Sequence, residues 1–516
     1  LKSSLGSRKK ACQESMSGNT SYGATESQSQ PSTFKARRLS AQRWSSMSPE
    51  NGSPIMLEPK EETITWIVYV LSGCAAVNSC NLGFDLGINA DAGPDLQSDF
   101  HLDDERYAIF ISSLNITAML GCILASFVSD RYGRRMGFAV SNATLLVGLT
   151  ITCTAQSYTV LLIGRALVGL GIGFGLALDP VYIAEVSPPA NRGWLVTWSE
   201  ISINIGCCLG FLVGWALSSL TPGTAWRVML AAGGVLPVVM LVLVATVMYE
   251  SPRWLILNNR IEDADMVIQK LFGDSANVTG IRDEILLSLE QERADYEKHS
   301  WLEIICPTGP LRCMIFVGVG IGVSQQLAAI EPITMYMQTI MKAAGESSRA
   351  NLSRYPLMVG LMKLASVLFA GPIFDKSGRR PMMLISFVGV SLSFGVLSLI
   401  FIIGYTPPWL VVGGLFCYVI TFSLGAGPGG WLLPSEMFSN SVRAKAMGMT
   451  TLLNRGCGAV MTMCFLAGIR SIGLGGIFAI YCAIAIGICI CISLYLPETR
   501  SKTLEEISED FREASS

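Results

Sequence analysis

The stretch DRYGRR at residues 130–135 returns 245 positions later as DKSGRR at residues 375–380. Each copy places an aspartate four positions before the first of two arginines, with a glycine just ahead of them. Apolar runs lie on both sides of each copy. A charged motif that repeats at a long distance between apolar segments indicates an internally duplicated chain.

Two more charged motifs repeat at nearly the same offset. Glu185 precedes Arg192 by seven positions, as Glu436 precedes Arg443. The motif ESPR at residues 250–253 returns in shortened form, as ETR, near the carboxyl end. Because three motifs keep their order at an offset of about 250, the sequence predicts two homologous halves. That is the layout of a transporter built from parallel membrane repeats.

The composition is typical of a membrane protein. Of the 516 residues, 51% are hydrophobic and 15% are charged, whereas soluble domains carry about 25% charged residues. A formal net charge of −2 gives no basic surface, so no nucleic-acid partner is expected. The 15 cysteines lie mostly in apolar runs and the two histidines form no cluster, so no metal site is predicted.

Twelve apolar runs are long enough to cross about 30 Å of hydrocarbon. Six precede a polar stretch at residues 249–312, and six follow it. The predicted spans are residues 64–88, 108–129, 137–156, 159–180, 195–219, 227–248, 313–341, 355–374, 381–404, 409–433, 445–468 and 473–496. The sequence therefore predicts an all-α membrane protein with amphipathic helices in its polar middle stretch.

Lysine and arginine predict the orientation. Most of them fall on the side of the polar middle stretch, whereas the first loop on the other side is acidic. We therefore expect a multi-pass membrane protein with both termini in the cytosol. Residues 1–60 are rich in serine and glutamine and lack apolar periodicity, which is typical of a disordered cytosolic tail. A transit segment is the alternative, and residues 498–516 form a short second tail.

The duplicated motifs lie at the cytosolic ends of spans and supply carboxylates and arginines at fixed spacing. Since arginine pairs bidentately with carboxylates, two such sets are predicted to tie the halves together and close the inner mouth. Plain positive-inside topology is the alternative, but it explains only the arginines. The predicted gate residues are Asp130, Arg134, Arg135, Glu185, Arg192, Glu250, Arg253, Asp375, Arg379, Arg380, Glu436, Arg443, Glu498 and Arg500.

Four motifs together resemble those of the sugar porter family of the major facilitator superfamily. They are DRYGRR at 130–135, ESPRWL at 250–255, QQL at 325–327 and LPET at 496–499. The resemblance implies a twelve-helix fold in two six-helix bundles, with one substrate site between them and alternating access. The bundles would occupy residues 61–248 and 313–497, and residues 249–312 resemble the family's intracellular helical domain.

At single positions within the spans, the sequence is similar to the plant-type polyol and monosaccharide proton symporters. Four positions differ from the pattern of hexose carriers and match that subgroup: Glu200, Glu331, Lys363 and Asn454-Arg455. The chain departs from the subgroup at Ala328-Ala329 and at GAGPGGW, residues 425–431. Both departures touch the presumed pocket, which leaves the exact substrate open.

Charges inside spans are costly and mark functional sites. Asp85 lies near the outer end of the first span and Arg165 near that of the fourth, so the topology brings them to the same depth. If Arg165 changes partner, Asp85 should take up a proton, which predicts proton coupling. A static ion pair is the alternative. Proton-coupled sugar porters resemble this chain in having Asp where facilitative carriers usually have Asn.

A neutral sugar needs hydrogen-bonding groups to replace the water that it loses. A buried Glu331 needs a cation, for which Lys363 is the nearest candidate along the sequence, or stays protonated. Structural roles are the alternative for Glu200 and Lys363, and lipid-interface packing is the alternative for Trp431. The predicted substrate-binding residues are Glu200, Gln325, Gln326, Glu331, Trp431 and Asn454.

These features predict a proton-coupled symporter for a polyol or monosaccharide, acting as a monomer with no cofactor other than the coupling proton. An uncoupled uniporter is the first alternative, and a sugar sensor is the alternative from another class. No nucleophile–base cluster suggests an enzyme. We expect the plasma membrane as the location, with the vacuolar and plastid membranes as alternatives.

Overall fold

The computed structural model describes residues 65–188, 191–273, 276–298, 301–307, 310–438 and 440–498. The predicted tail at residues 1–60 lies outside these ranges, as does Arg500. Within the described ranges, the regular elements are all α-helices. An all-helical chain fits the apolar composition, because a helix satisfies its own backbone hydrogen bonds in lipid.

The first half contains six spans, as predicted. The first helix is longer than expected, since it continues past residue 88 to Asp99 with Pro94 inside it. In the sixth span, Gly233 and Gly234 separate helices Pro222–Ala232 and Val235–Thr246. The spans are Trp66–Asp99, Asp104–Tyr132, Arg134–Thr154, Tyr158–Val186, Arg192–Ala216 and Pro222–Thr246.

The polar middle stretch folds into short helices, which confirms that prediction. Helix Ile261–Phe272 buries Ala264, Val267, Ile268 and Leu271. This spacing gives the helix one apolar stripe, which packs inward while its charged side faces water. The other helices here are Pro252–Leu257, Val278–Lys298 and Trp301–Ile305.

The second half contributes the remaining crossings. Its last helix, Asn440–Tyr495, has 56 residues, and at 1.5 Å per residue it would be about 84 Å long if straight. It turns at Gly473, where φ is 74°, and so supplies the eleventh and twelfth spans. The preceding spans are Leu311–Met335, Arg349–Gly371, Arg379–Ile403 and Pro408–Met437.

Two spans of the second half are broken near the middle. The seventh consists of helices Pro310–Leu327 and Ile330–Met335, followed by Met337–Ala343. The tenth consists of Pro408–Leu424 and Ala426–Met437. Non-helical backbone at this depth is tolerated where protein or a cavity surrounds it. The breaks therefore point to the region between the halves as the functional one.

The halves meet along two pairs of spans. The second span packs against the eleventh, and the fifth packs against the eighth. In the second of these contacts, Gly360 lies against the ring of Phe211. These four spans, with the seventh, supply most of the polar side chains buried between the halves.

Candidate functional site

A buried ion pair lies between the two halves. The Nη1 of Arg455 is 2.8 Å from Oε1 of Glu331, and both side chains are at most 6% exposed. The other carboxylate oxygen, Oε2, accepts a hydrogen bond from Nδ2 of Asn115 at 2.5 Å. Because Asn115 belongs to the second span, this hydrogen bond joins the first half to the second.

Three amide side chains extend this cluster. Nε2 of Gln326 donates to Oε1 of Glu331 at 3.0 Å and to Oδ1 of Asn454 at 3.2 Å. Nδ2 of Asn454 donates to Oε1 of Gln325 at 3.2 Å, and Nε2 of Gln325 donates to the carbonyl of Gly427 at 2.9 Å. Four of the predicted substrate-binding residues therefore meet in one place. Oε1 of Gln326 is buried without a hydrogen-bond partner, so it has capacity left for a hydroxyl donor.

The partner of Glu331 differs from the expected one. Arg455, not Lys363, makes the ion pair, because the eleventh span packs against the seventh at this depth. Arg455 is not among the predicted site residues, although a charged residue in an apolar span is itself a functional signal. Nζ of Lys363 instead lies 5.9 Å from the centre of the Phe422 ring.

A small cavity lies beside this cluster, with walls from both halves. Glu200 is half-buried one turn before Asn204 in the fifth span, and Trp431 is half-buried in the tenth. Among the described residues, no hydrogen bond or ion pair joins Glu200 or Trp431 to the amide cluster. The lining includes Asn204, Cys207, Phe211, Ile330, Thr334 and Lys363.

The structure brings Asp85 and Arg165 together, as the topology predicted. Nη1 of Arg165 is 2.6 Å from Oδ1 of Asp85, and the two side chains are 2% and 6% exposed. The guanidinium carbon is 5.2 Å from the centre of the Phe110 ring. Oδ2 of Asp85, and Nε and Nη2 of Arg165, are buried without hydrogen-bond partners. A single bond holds a pair that has the groups for a bidentate contact.

At the end that is predicted to face the cytosol, each half contains an equivalent arginine–glutamate pair. Arg134 contacts both carboxylate oxygens of Glu185, at 2.9 and 3.1 Å, and Oδ1 of Asp130 at 2.7 Å. Arg379 contacts both oxygens of Glu436, at 3.0 and 3.3 Å. The repeated motifs thus build the same bidentate pair twice.

A second glutamate in each half caps a helix. Glu250 accepts hydrogen bonds from the backbone N–H groups of residues 134–135, and Glu498 accepts them from residues 379–380. Negative charge at a helix amino terminus is favourable. Gly133 has φ 99°, and a Cβ there would lie 2.2 Å from the Glu250 carboxylate. Burial raises the pKa of Glu250, and the N–H donors oppose that rise.

The predicted tie between the halves at this end stays a prediction. Each of the pairs above joins elements of one half. Arg253 pairs with Glu292 of the linker helix at 2.7 Å. Nε of Arg443 donates to the carbonyl of Phe438 at 3.2 Å, and burial lowers the pKa of Arg443. For Arg192, no ion pair is present among the described residues; nothing is described for the side chain of Asp375.

At the opposite end of the molecule, ion pairs do join the halves. Nη2 of Arg349 is 2.5 Å from Oδ2 of Asp95. Nε of Arg470 is 2.6 Å from Oδ2 of Asp104. Asp91 accepts a hydrogen bond from Gln338. This structure therefore has the halves tied together at this end. From the sequence, the three aspartates were evident only as part of an acidic segment.

The sequence matches the family described as "Sugar (and other) transporter" over residues 66–511. The chain belongs to this family. Among curated proteins, this sugar transporter is 32% identical over 477 residues to "Probable polyol transporter 4" of Arabidopsis thaliana, covering 91% of this chain and 90% of that protein. It is 31% identical over 473 residues to "Polyol transporter 5" of the same plant, covering 88% and 87% respectively.

Solved structures confirm the fold of this sugar transporter. A partially occluded, inward-open structure of the xylose transporter XylE from E. coli superposes with a TM-score of 0.75. It is 22% identical and covers 85% of this chain and 100% of its own. The twelve-helix major facilitator fold that the motifs predicted is therefore confirmed.

Proposed function

We propose that this transporter moves a polyol or monosaccharide together with a proton, by alternating access. The observation that carries the coupling is the Asp85–Arg165 pair, which is buried yet held by one hydrogen bond. Loss of Arg165 would leave the Asp85 carboxylate buried without a counter-charge, which is strongly unfavourable. Uptake of a proton neutralises that carboxylate.

The cluster around Glu331 is the proposed substrate site. It offers carboxylate oxygens, amide donors and amide acceptors in a dry setting, which suits hydroxyl groups that donate and accept. Substrate hydroxyls would replace part of the network that Gln325, Gln326 and Asn454 make with one another. The named polyol transporters among the relatives support a polyol as the first substrate class to test.

Two further residues, the oligomeric state and the location of the transporter complete the proposal. Glu200 and Trp431, which are both half-buried, would contact substrate from the fifth and tenth spans. The transporter would act as a monomer, without a cofactor, in the plasma membrane and with both termini in the cytosol. The vacuolar and plastid membranes are the alternative locations.

The test uses the purified full chain in liposomes with a pH gradient, acidic outside, and a labelled polyol or hexose. The parent should accumulate substrate above the external concentration. Asp85→Asn should lose that accumulation and keep exchange of labelled for unlabelled substrate. Ser72→Ala is the control, because Ser72 is also buried in the same helix but belongs neither to the ion pair nor to the contacts that tie the halves together.

Three outcomes would contradict parts of this proposal. Accumulation by Asp85→Asn that equals that of the parent would remove Asp85 from coupling. Transport by the parent that ignores the pH gradient would indicate the uncoupled uniporter. Binding of substrate without any transport would indicate a sensor.

A further inference from the structure

A second buried carboxylate lies in the first half and has no role in the proposal above. Asp179, in the fourth span, is 1% exposed. Its oxygens accept hydrogen bonds from Nδ2 of Asn78 at 2.8 Å and from Oγ of Ser79 at 2.5 Å. Within the described part of the chain, no lysine or arginine pairs with it. Because a buried charge without compensation is very costly, either a proton or a bound cation must neutralise Asp179.

The neighbours of Asp179 are unusually rich in side-chain oxygens. Nδ2 of Asn142 donates to Oδ1 of Asn78 at 2.8 Å, and Nδ2 of Asn81 donates to Oδ1 of Asn142 at 3.2 Å. The amide N–H groups are thus used within the cluster. Oδ1 of Asn81, a residue 5% exposed, has no hydrogen-bond partner. A buried acceptor without a hydrogen-bond partner destabilises the fold by about 1–3 kcal/mol unless a donor or a cation binds it.

These side chains surround a small cavity between the first, third and fourth spans. Asn78, Ser79, Asn81 and Asp179 line it, as does Leu176. Pro180 lies inside the fourth helix, and proline has no N–H to donate to the carbonyl four positions earlier. The Leu176 carbonyl therefore lacks its usual helical donor beside the same cavity. In several transporters, backbone carbonyls without a helical donor coordinate the coupling ion.

We propose that this cavity is a binding site for a monovalent cation of the size of Na⁺. Carboxylate, amide, hydroxyl and backbone carbonyl oxygens are the ligands that hard cations prefer. One carboxylate balances one positive charge, and the described residues contain no group of three or more His, Cys, Asp or Glu for a transition metal. A proton would need one acceptor only, whereas several oxygens converge here and amide oxygens are poor proton acceptors.

The site is separate from the proposed proton and substrate sites, so its test does not depend on transport. The purified full chain is heated in detergent in NaCl, and in choline chloride of equal ionic strength. Na⁺ that binds the folded state should raise Tm in a saturable way, by about 2 °C or more. The rise should persist in Asp85→Asn and disappear in Asp179→Asn.

A second variant keeps the proposal testable if Asp179→Asn does not fold. Asn81→Ala removes the unpartnered oxygen and leaves both hydrogen bonds to Asp179, so it should raise the half-saturating Na⁺ concentration several-fold. No Na⁺-specific rise in the parent would overturn the proposal. So would a Tm that depends on pH through Asp179 but not on Na⁺, because that result indicates protonation instead.

Discussion

The two halves of the molecule are alike at the end that carries the repeated charged motifs and differ in their interiors. At that end, Arg134 with Glu185 matches Arg379 with Glu436 in position and geometry. These pairs connect spans within one half, and Glu250 and Glu498 cap the helix that follows each motif. Positions that have the same structural role in both halves therefore carry the same residues.

In the interior, the same position carries an acid in both halves but with different partners. Glu331 lies 246 positions after Asp85, close to the offset of the cytosolic motifs. Asp85 pairs with an arginine from the fourth span through one hydrogen bond. Glu331 uses both oxygens, with Arg455 from the eleventh span and with Asn115 from the other half. The loosely held acid suits a proton acceptor, whereas the fully bonded one suits a binding site.

The backbone beside these two acids also differs. Gly83 and Ala329 are separated by the same 246 positions. A Cβ on Gly83 would lie 1.8 Å from the carbonyl of Ile203, so glycine there permits close contact between a continuous first helix and the fifth. Ala329 has φ 60° and lies at the break in the seventh span. In the first half this position allows two helices to pack closely. In the second half it lies where the chain turns at the proposed substrate site.

The largest expected effect is loss of stability on removing Arg455. Arg455→Met leaves the Glu331 carboxylate buried and unpaired, which typically costs about 3–5 kcal/mol. Arg165→Met should cost less, because Arg165 makes no hydrogen bond besides the one to Asp85, whereas Arg455 also donates to Oδ1 of Asn454. Thermal unfolding in detergent measures both, and Glu331→Gln combined with Arg455→Met should recover much of the loss. If Arg165→Met lost more stability than Arg455→Met, the Asp85–Arg165 pair would not be the more weakly held of the two.

The next effect concerns substrate selectivity. Glu331→Asn replaces an acceptor with a group that also donates, and one hydrogen bond is worth about 0.5–1.5 kcal/mol. Relative uptake of polyols and hexoses should therefore change by roughly 2- to 10-fold. A competition panel against one labelled substrate measures this, with surface expression checked in parallel. Asp85→Asn, assayed by exchange, is the control that should leave the ranking unchanged; an unchanged ranking in Glu331→Asn would make that residue structural.

A smaller effect is expected at the cytosolic ends. Glu185→Gln and Glu436→Gln each weaken the predicted inner closure, so both should shift the population towards the inward-open state. Cysteine reactivity towards an impermeant maleimide, measured from the cytosolic face, should rise by a similar factor in the two variants. Asp263→Asn is the control, since Asp263 pairs with Arg260 in the polar middle stretch, is 45% exposed and is not among the predicted gate residues, and exposed pairs contribute little. If neither glutamate variant changes the reactivity, the gate interpretation fails.

The smallest expected effect is a gain in stability. Ala329→Gly relieves a left-handed backbone conformation that costs an alanine about 1–2 kcal/mol, while glycine adds unfolded-state entropy worth about 0.4–1 kcal/mol. The net gain should be about 0.5–1 kcal/mol, seen as a higher Tm. Ala328→Gly, one residue earlier, is the control and should not stabilise. A lower Tm for Ala329→Gly would mean that the alanine methyl group contributes more through packing than the strain costs.

Much of this protein was predictable from its sequence, because the decisive signals are local. Apolar runs of membrane length, with arginines between them, predict twelve crossings without knowledge of any contact. The Asp85–Arg165 pair followed from depth alone, since helices of known length place both residues near one side. The amide residues of the site, Gln325, Gln326 and Asn454, came from the family resemblance.

The tertiary structure decided which side chains meet. The partner of Glu331 depends on how the seventh and eleventh helices are rotated and how closely they pack. Neither property can be read from the sequence pattern of a single span. Lys363, the cation nearer to Glu331 along the sequence, is therefore not its partner. The Asp179 cavity was not predicted for the same reason, since its oxygens come from three helices. A sequence determines how often a chain crosses a membrane, because burial in lipid acts on each segment separately. Packing determines what the segments bind, because a site needs side chains from several of them at one point.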